Sequence, residues 1–436
     1  MRLLFIFSFA FINIVAQCQN FNLQKCIDYA LQNRIELKKS HNYIVLSQQN
    51  VIYSKYNLLP SINIETGHQY NKAKDFSENN GNYSSYQIGN YSLNSQLVIF
   101  NGMQTILKIK QNILLNEMSI TELEIIEQDI KREVIYAYYE LLLAIENNRI
   151  ILYSLENISK QIQIIQEMVS QGKISVIDLY EIKARYKSVH SNLLQTEINI
   201  KKANVLLKKA MNFPLDSIFE IDIIKDNTKL TMNDLNIKDY CNKILETSPQ
   251  IQRAIQDSIF HKENLSIIKS HYYPYLTTNA SLYSSYSDVA VSSSGGINYN
   301  FNNQFKDNFA YQVGFSLVIP LYSRHSIKQK IFENGIKLEN SILDKQIIKN
   351  KIYRDIEILI ETIEVQKKKI HSRNEEVNLY TEIYEMRTKQ YKSGKLSITD
   401  YLISENKKIN AELELNLENY TLLLNISVFE LYLGTI

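Results

Sequence analysis

Two seven-residue stretches hold the polar pattern that recurs most clearly in this chain. Gly172-Lys-Ile-Ser-Val-Ile-Asp178 and Gly394-Lys-Leu-Ser-Ile-Thr-Asp400 lie 222 residues apart and share four of their seven residues. A Gly-Lys pair invites a phosphate-loop reading, but Ile174 and Leu396 follow where that loop needs Ser or Thr, and no Gly stands five residues upstream. The chemistry the pattern does supply is chain reversal. Glycine takes the left-handed conformation that ends one helix, Ser175 or Ser397 caps the next, and Asp178 or Asp400 sits near its positive N-terminal end. No Gly-x-Gly-x-x-Gly, Gly-x-Ser-x-Gly or His-Glu-x-x-His occurs. The seven His are dispersed, none three or four residues from another, and Cys18, Cys26 and Cys241 form neither a disulfide framework nor a zinc spacing. The expectation is a protein with no catalytic centre, no metal site and no cofactor.

The elements that must position these turns are few and long. The 436 residues contain only 11 Gly and 5 Pro, too few breakers to punctuate the many short elements of an α/β enzyme. A hydrophobic fraction of 45% permits a substantial core. The net charge of +2, from 48 Lys+Arg against 46 Asp+Glu, argues against a nucleic-acid partner. Breaker-free runs cover Phe21–Leu59, Met103–Gln171, Lys173–Phe213, Ile336–Ser393 and Lys395–Leu433. A 69-residue helix over Met103–Gln171 would measure ~100 Å. Helices over Phe21–Leu59 and Lys173–Phe213, stacked end to end, would nearly match it. Within the long run Leu123, Ile126, Ile130, Val134, Ala137 and Leu141 average 3.6 residues apart, the period of a packed, nearly straight helix.

Met1-Arg2 followed by an apolar run from Leu3 to Ala16 reads as an export signal, removed near residue 18. Gln17 stands where a small residue is wanted before a lipid-modified Cys18, which argues against a lipoprotein. No later segment approaches the 18 or so apolar residues of a spanning helix. The rest repeats. Tyr29–Asn33 resembles Lys243–Thr247 and Leu59-Pro60 aligns with Tyr273-Pro274 at an offset of 214; after an eight-residue insertion the offset becomes 222. The organisation expected is a signal peptide (1–18), a first repeat (19–213), a connection (214–238) and a second repeat (239–436).

Each repeat holds a segment rich in Tyr, Asn and Ser, about 61–100 and 275–322. Tyr311, Val313, Phe315, Leu317 and Ile319 alternate with other residues, and so do Tyr91, Leu93, Ser95, Leu97 and Ile99, while Ile62, Ile64 and Thr66 begin an outgoing strand. Each segment reads as a hairpin of strands of about ten residues with a polar tip (Asp75–Asn82; Asp288–Asp307), the signature of a transmembrane β-barrel. Four strands cannot close a barrel, and open edges are not tolerated in lipid, so several protomers must contribute; three give twelve strands.

On these marks, together with Leu58-Leu59-Pro60, Leu97–Gly102, Val318–Tyr322 and the closing Ser427–Gly434, the chain resembles the TolC-type outer-membrane efflux protein family over its whole mature length. The resemblance implies a fold that is mainly α with membrane β: a duplicated helix–hairpin–long helix–helix repeat and a homotrimer whose 12-stranded outer-membrane barrel continues into a periplasmic α-helical barrel. It implies a passive exit duct of a tripartite efflux or type I secretion system, not an enzyme. Its partners would be outer-membrane lipid, a periplasmic adaptor and an inner-membrane transporter of the RND or ABC kind. It implies that Gly172, Lys173, Ser175, Gly394, Lys395 and Ser397 form adaptor-contacting hairpin tips, and that Asp178, Tyr391 and Asp400 line the aperture, with three Asp400 carboxylates making a mildly cation-favouring ring. Leu396 and Ile403 depart from the family pattern where a linking Arg and a second acidic ring residue can occur. The competing reading is a periplasmic coiled-coil adaptor or scaffold without a pore. Such proteins usually carry one helical hairpin, and here the hairpin is duplicated.

Overall fold

The computed structural model describes residues 21–74, 83–217, 219, 221–222, 237–290 and 300–436. The expected signal peptide with Cys18, the tip of the first β-hairpin, most of the connection 214–238 and part of the second tip lie outside the described residues. The elements run α1 (Leu23–Asn33), α2 (Ile35–Tyr56), β1 (Ser61–Lys74), β2 (Tyr83–Asn101), α3 (Gln104–Ser170), α4 (Val176–Met211), α5 (Ile237–Thr247), α6 (Pro249–Ser270), β3 (Tyr275–Ser287), α7 (Phe301–Asp307), β4 (Ala310–Val318), α8 (Ser326–Lys392) and α9 (Ile398–Leu433). Both ends of α1 and α2 lie 214 residues before those of α5 and α6, and both ends of α3 and α4 lie 222 before those of α8 and α9. The molecule is mainly helical with one four-stranded antiparallel sheet in the order β1-β2-β3-β4.

The first of two compact units takes its residues from Met1–Lys39, Leu123–Pro249 and Lys349–Ile436. The periodic residues of α3 bury here as their spacing requires: Ile130, Val134, Ala137 and Leu141 are buried, and Leu123 and Ile126 pack partly buried against them. They meet Cys26, Ile27 and Ala30 of α1, Leu207 and Met211 of α4, and Val428 and Leu431 of α9. Cys26 and Cys241 are buried free thiols.

The second unit comprises Ser40–Glu122 and Gln250–Ile348. Its helices are joined through small polar side chains. Ser40, Ser47 and Ser54 are buried at seven-residue spacing on α2, and Ser47 bonds Asn116 of α3 at 2.9 Å. On α8, Asn334 and Ser341 repeat the same spacing and bond Asn264 and Ser258 of α6. Small residues seven apart let two helices approach closely along a coiled-coil seam. In the sheet, Ile64, Leu93, Leu282 and Tyr311 share one face through the ladder register, as do Ile62, Val313, Phe315 and Leu317. The opposite face carries Asn63, Asn94, Ser281 and Gln312. Tyr311, Val313, Phe315 and Leu317 are each 59–77% exposed, so the apolar face is bare in the single chain.

Two expectations need correction. The run Phe21–Leu59 is not one helix: it breaks at Arg34, whose ψ of 130° is extended. The break is held by the Arg34 guanidinium, which donates to the Ala210 carbonyl at 2.9 Å at the end of α4 and pairs with Glu36 and Glu133. In the second repeat Pro249 imposes the corresponding break by starting α6. The second hairpin tip is not wholly irregular either. It contains α7, started by the Asn300 side chain accepting from the Asn303 N–H at 3.0 Å.

Gly102, at the exit of β2, tests close packing. Its φ is +63°, and a Cβ there would meet the Ser270 carbonyl at 2.6 Å and Tyr273 Cβ at 2.7 Å. Gly172 has φ +70° and nothing within 4 Å of a Cβ. Gly102→Ala is therefore expected to cost about 3 kcal/mol and Gly172→Ala about 1 kcal/mol, read from the denaturation midpoints of the purified protein. Equal midpoints for the two variants would contradict the packing at Gly102.

Candidate functional site at the helical hairpin tips

α3 ends and α4 begins across Gly172, and α8 ends and α9 begins across Gly394, whose φ is +73°. Each turn closes with the same bonds. The N–H of Lys173 reaches the Met168 carbonyl at 2.9 Å, and that of Lys395 reaches Gln390 at 3.0 Å. These reach back five residues beneath a left-handed glycine, the C-terminal helix cap of Schellman type. Ser175 Oγ accepts from the Ile177 N–H and Ser397 Oγ from the Asp400 N–H, both at 3.1 Å. Ser397 Oγ also donates to Asp400 Oδ2 at 2.8 Å. Lys173, Ser175, Lys395 and Ser397 are exposed.

Both tips belong to the first unit and touch each other there. Thr399 Oγ1 donates to Glu181 Oε2 at 3.2 Å, from the first turn of α9 to the second turn of α4. Asp178 is half-buried near Tyr391, and its charge, with that of Glu181, adds to the burial that pushes the Tyr391 phenol up to about 12. Tyr391 is 6% exposed and stacks on Tyr401 with ring centroids 5.2 Å apart. It is part of the tip's interior, and its hydroxyl has no partner. Asp400 is exposed and stays at the surface of α9, where Arg387 donates to its backbone carbonyl at 3.0 Å. Asp178 and Tyr391 thus come together within one chain, while Asp400 points elsewhere.

Sequence reasoning missed a polar network beneath these turns. Gln161 of α3 donates to the Tyr384 hydroxyl of α8 at 3.0 Å, which shares a hydrogen bond with Tyr401 of α9, also at 3.0 Å. One turn further on, Glu405 is 3% exposed, and Arg185 of α4 bonds Asn406 beside it. Burial pushes the Glu405 carboxyl up to about 7 against the opposing pull of Arg185 and Lys408. Burial likewise raises Tyr384 and Tyr401, and it lowers Arg185. The signal for this network was a departure from the repeat. At the 222-residue offset, Tyr384, Tyr391, Tyr401 and Glu405 stand where the first repeat has Ile162, Val169, Leu179 and Lys183.

Residues 26–212 match the model of the family described as outer membrane efflux protein. No curated protein matches the chain in sequence. Among solved structures, the outer membrane protein VceC of Vibrio cholerae aligns with TM-score 0.79 at 15% identity, covering 94% of this chain and 96% of that one. The CmeC outer membrane channel of Campylobacter jejuni aligns with TM-score 0.78 at 16% identity over 94% and 85%. CusC, which forms a transmembrane channel, gives 0.82 at 13% over 95% and 92%. The chain has the fold of the TolC-type outer-membrane channels. The likeness rests on sequence within the first half and on fold elsewhere, the fold alone extending to α8 and α9.

The Glu405 carboxyl sets the sign of the tip's response to pH. Its value in the folded tip lies above its ordinary 4.5, so the protonated form is the one the fold favours. The stability it confers is complete below about pH 4.5 and is lost as pH rises through about 7. Hydrogen exchange along α8 and α9 near the turn, corrected for intrinsic rates, should therefore lose protection from pH 5 to pH 8, by about 3 kcal/mol at most. Glu405→Gln should flatten that profile. An unchanged slope in the variant would assign the pH response to another group.

Proposed function

We propose that this protein is the outer-membrane channel component of a tripartite efflux or type I secretion system, a passive exit duct for small molecules or proteins. The observation that carries the reading is the sheet: four antiparallel strands with one bare apolar face, one polar face and two open edges, in a chain whose first half matches the efflux family. An apolar face that alternates with a polar one suits a barrel wall between lipid and water. Three copies supply the twelve strands of a closed barrel, and the long helices continue it as a periplasmic tunnel. The repeats 19–213 and 239–436, joined by 214–238, are the duplicated unit of that design. The partners are a periplasmic adaptor, met by the exposed tips at Gly172, Lys173, Ser175, Gly394, Lys395 and Ser397, and an inner-membrane RND or ABC transporter beyond it.

At the mouth, Asp400 is the exposed carboxylate on a first helical turn, free to face the axis of a trimer, whereas Asp178 and Tyr391 hold the two tips of one protomer together. Opening then separates packed tips while leaving the capped turns intact.

Chemical cross-linking of washed outer membranes, sized with and without boiling, is expected to give a ladder ending at three protomers. A soluble monomer or dimer would remove the barrel reading and favour a scaffold. In planar bilayers the channel is expected to prefer cations, and Asp400→Ala to move its permeability ratio toward one. Identical ratios in both would exclude an Asp400 ring.

A further inference from the structure

The longer connection in the second hairpin carries an element with no counterpart among the described residues of the first. β1 ends at Lys74 and β2 starts at Tyr83, whereas β3 ends at Ser287 and β4 starts only at Ala310, with α7 between them. α7 is clamped onto the outer end of β3. The Gln304 side chain is fully buried, its Oε1 accepting from the Ser287 N–H and its Nε2 donating to the Ser287 carbonyl, both at 2.8 Å. Ser284 Oγ donates to the Phe305 carbonyl and Asn308 Nδ2 to the Ser285 carbonyl, also at 2.8 Å.

This clamp covers a stretch of β3 that β4 does not reach, because their last paired residues are Tyr283 and Ala310. Covering that edge accounts for Gln304 and Asn308. It leaves unexplained Phe301, Phe305 and Phe309, which remain 43%, 38% and 54% exposed. These rings lie on the apolar side of the sheet. Phe301 and Phe305 each contact Tyr91 at 5.7 Å between centroids, and Phe301 contacts Tyr286 at 5.5 Å. A cleft of about 260 Å³ opens beneath Phe305 and Phe309 and is lined by Ile64, Leu93 and Leu282 of the bare apolar face.

The level of the helix follows from strand length. β4 has nine residues, the number a tilted strand needs to cross the hydrocarbon layer, so Ala310 marks its outer boundary. α7 ends just before that boundary in sequence, and it sits against Ser284–Ser287, just past the same level on β3. Its other residues are Asn, Gln, Lys and Asp, suited to headgroups.

We propose that α7 is an interfacial lipid anchor: its phenylalanines enter the outer leaflet at headgroup depth, and the cleft under Phe305 and Phe309 holds part of an acyl chain of an outer-leaflet lipid. The proposal rests on the barrel reading, which sets the apolar face toward lipid. The commitment to lipid comes from continuity, since the cleft opens directly onto that face.

The chain contains no Trp, so a single introduced indole reports on its own surroundings. Phe305→Trp and Phe315→Trp proteins, each confirmed in the oligomeric state of the wild type, are reconstituted into phosphatidylcholine vesicles carrying bromine either near the headgroup or near the chain end. The indole at 305 is expected to lose most of its emission to the shallow bromines and little to the deep ones, while the indole at 315, mid-strand on the lipid face, is quenched by the deep ones. Quenching at 315 with none at 305 would overturn the anchor alone. Preferential quenching of 305 by deep bromines would overturn its interfacial depth. Absence of quenching at 315 would overturn the barrel reading and the anchor with it. Phe309→Trp provides the same readout should Phe305→Trp fail to assemble.

Discussion

β1 and β4 each present one row of backbone N–H and C=O groups that no strand among the described residues pairs. In hydrocarbon every such group costs several kcal/mol, so a single bare edge would exceed the whole stability of an ordinary domain, about 5–15 kcal/mol. Water would satisfy the edges, but it would also wet Tyr311, Val313, Phe315 and Leu317, which form a continuous apolar stripe. Neither solvent suits the sheet of one chain. In the proposed barrel, a closed ring of several copies in lipid would satisfy edges and face together, and association would follow from the strand count. Such a ring would account for two other features: duplication puts four strands in one chain, and few breakers allow helices of 67 residues beside them.

The helices solve a related problem by a different device. In the proposed tunnel wall, one helix thick, there would be no deep interior, and its members would hold one another along narrow seams. In the second unit those seams hold small buried residues such as Ser47, Asn334 and Ser341, and Ser47 and Asn334 bond across them to Asn116 and Asn264. In the first unit the seam becomes a true apolar core around Val134, Leu207 and Met211. Glycine serves two separate purposes in this scheme. At Gly102 the neighbouring chain leaves no room for a Cβ, whereas at Gly172 and Gly394 the surroundings are open and only the left-handed φ requires it.

What the sequence disclosed depended on whether one residue type carried the signal. Pro249 announced the start of α6, but its counterpart in the first repeat is Ile35, and the break at Arg34 depends on a guanidinium reaching the carbonyl of Ala210, 176 residues away. Hydrophobic period found the α3 stripe because its core residues are apolar. The same method passed over Ser40, Ser47 and Ser54, whose seven-residue spacing is as regular but whose hydroxyls read as surface. α7 had a legible start in Asn300 with Phe301 and Phe305 four residues apart, yet seven residues among many Asn read as a polar tip. At the candidate site the capped turns at Ser175 and Ser397 follow from local chemistry and were readable. The inward packing of Tyr391 and the burial of Glu405 are tertiary facts that no local pattern encodes.

Duplication gives these differences their meaning. Two halves that fold alike need only one set of instructions, so a departure of the second half that changes the local chemistry is informative. Two such departures bear on function. In the second unit, α7 is an aromatic helix in the second hairpin with no counterpart among the described residues of the first. In the first unit, Tyr384, Tyr391, Tyr401 and Glu405 replace three aliphatics and a lysine, turning an apolar contact between hairpin tips into a hydrogen-bonded one with a buried carboxyl. An apolar tip would hold by area alone and respond little to its surroundings. A tip held by a few directed bonds around a group that titrates near neutrality is stiff when those bonds are complete and loosens when one is lost, the behaviour that the proposed mouth would need to stay shut and yet open.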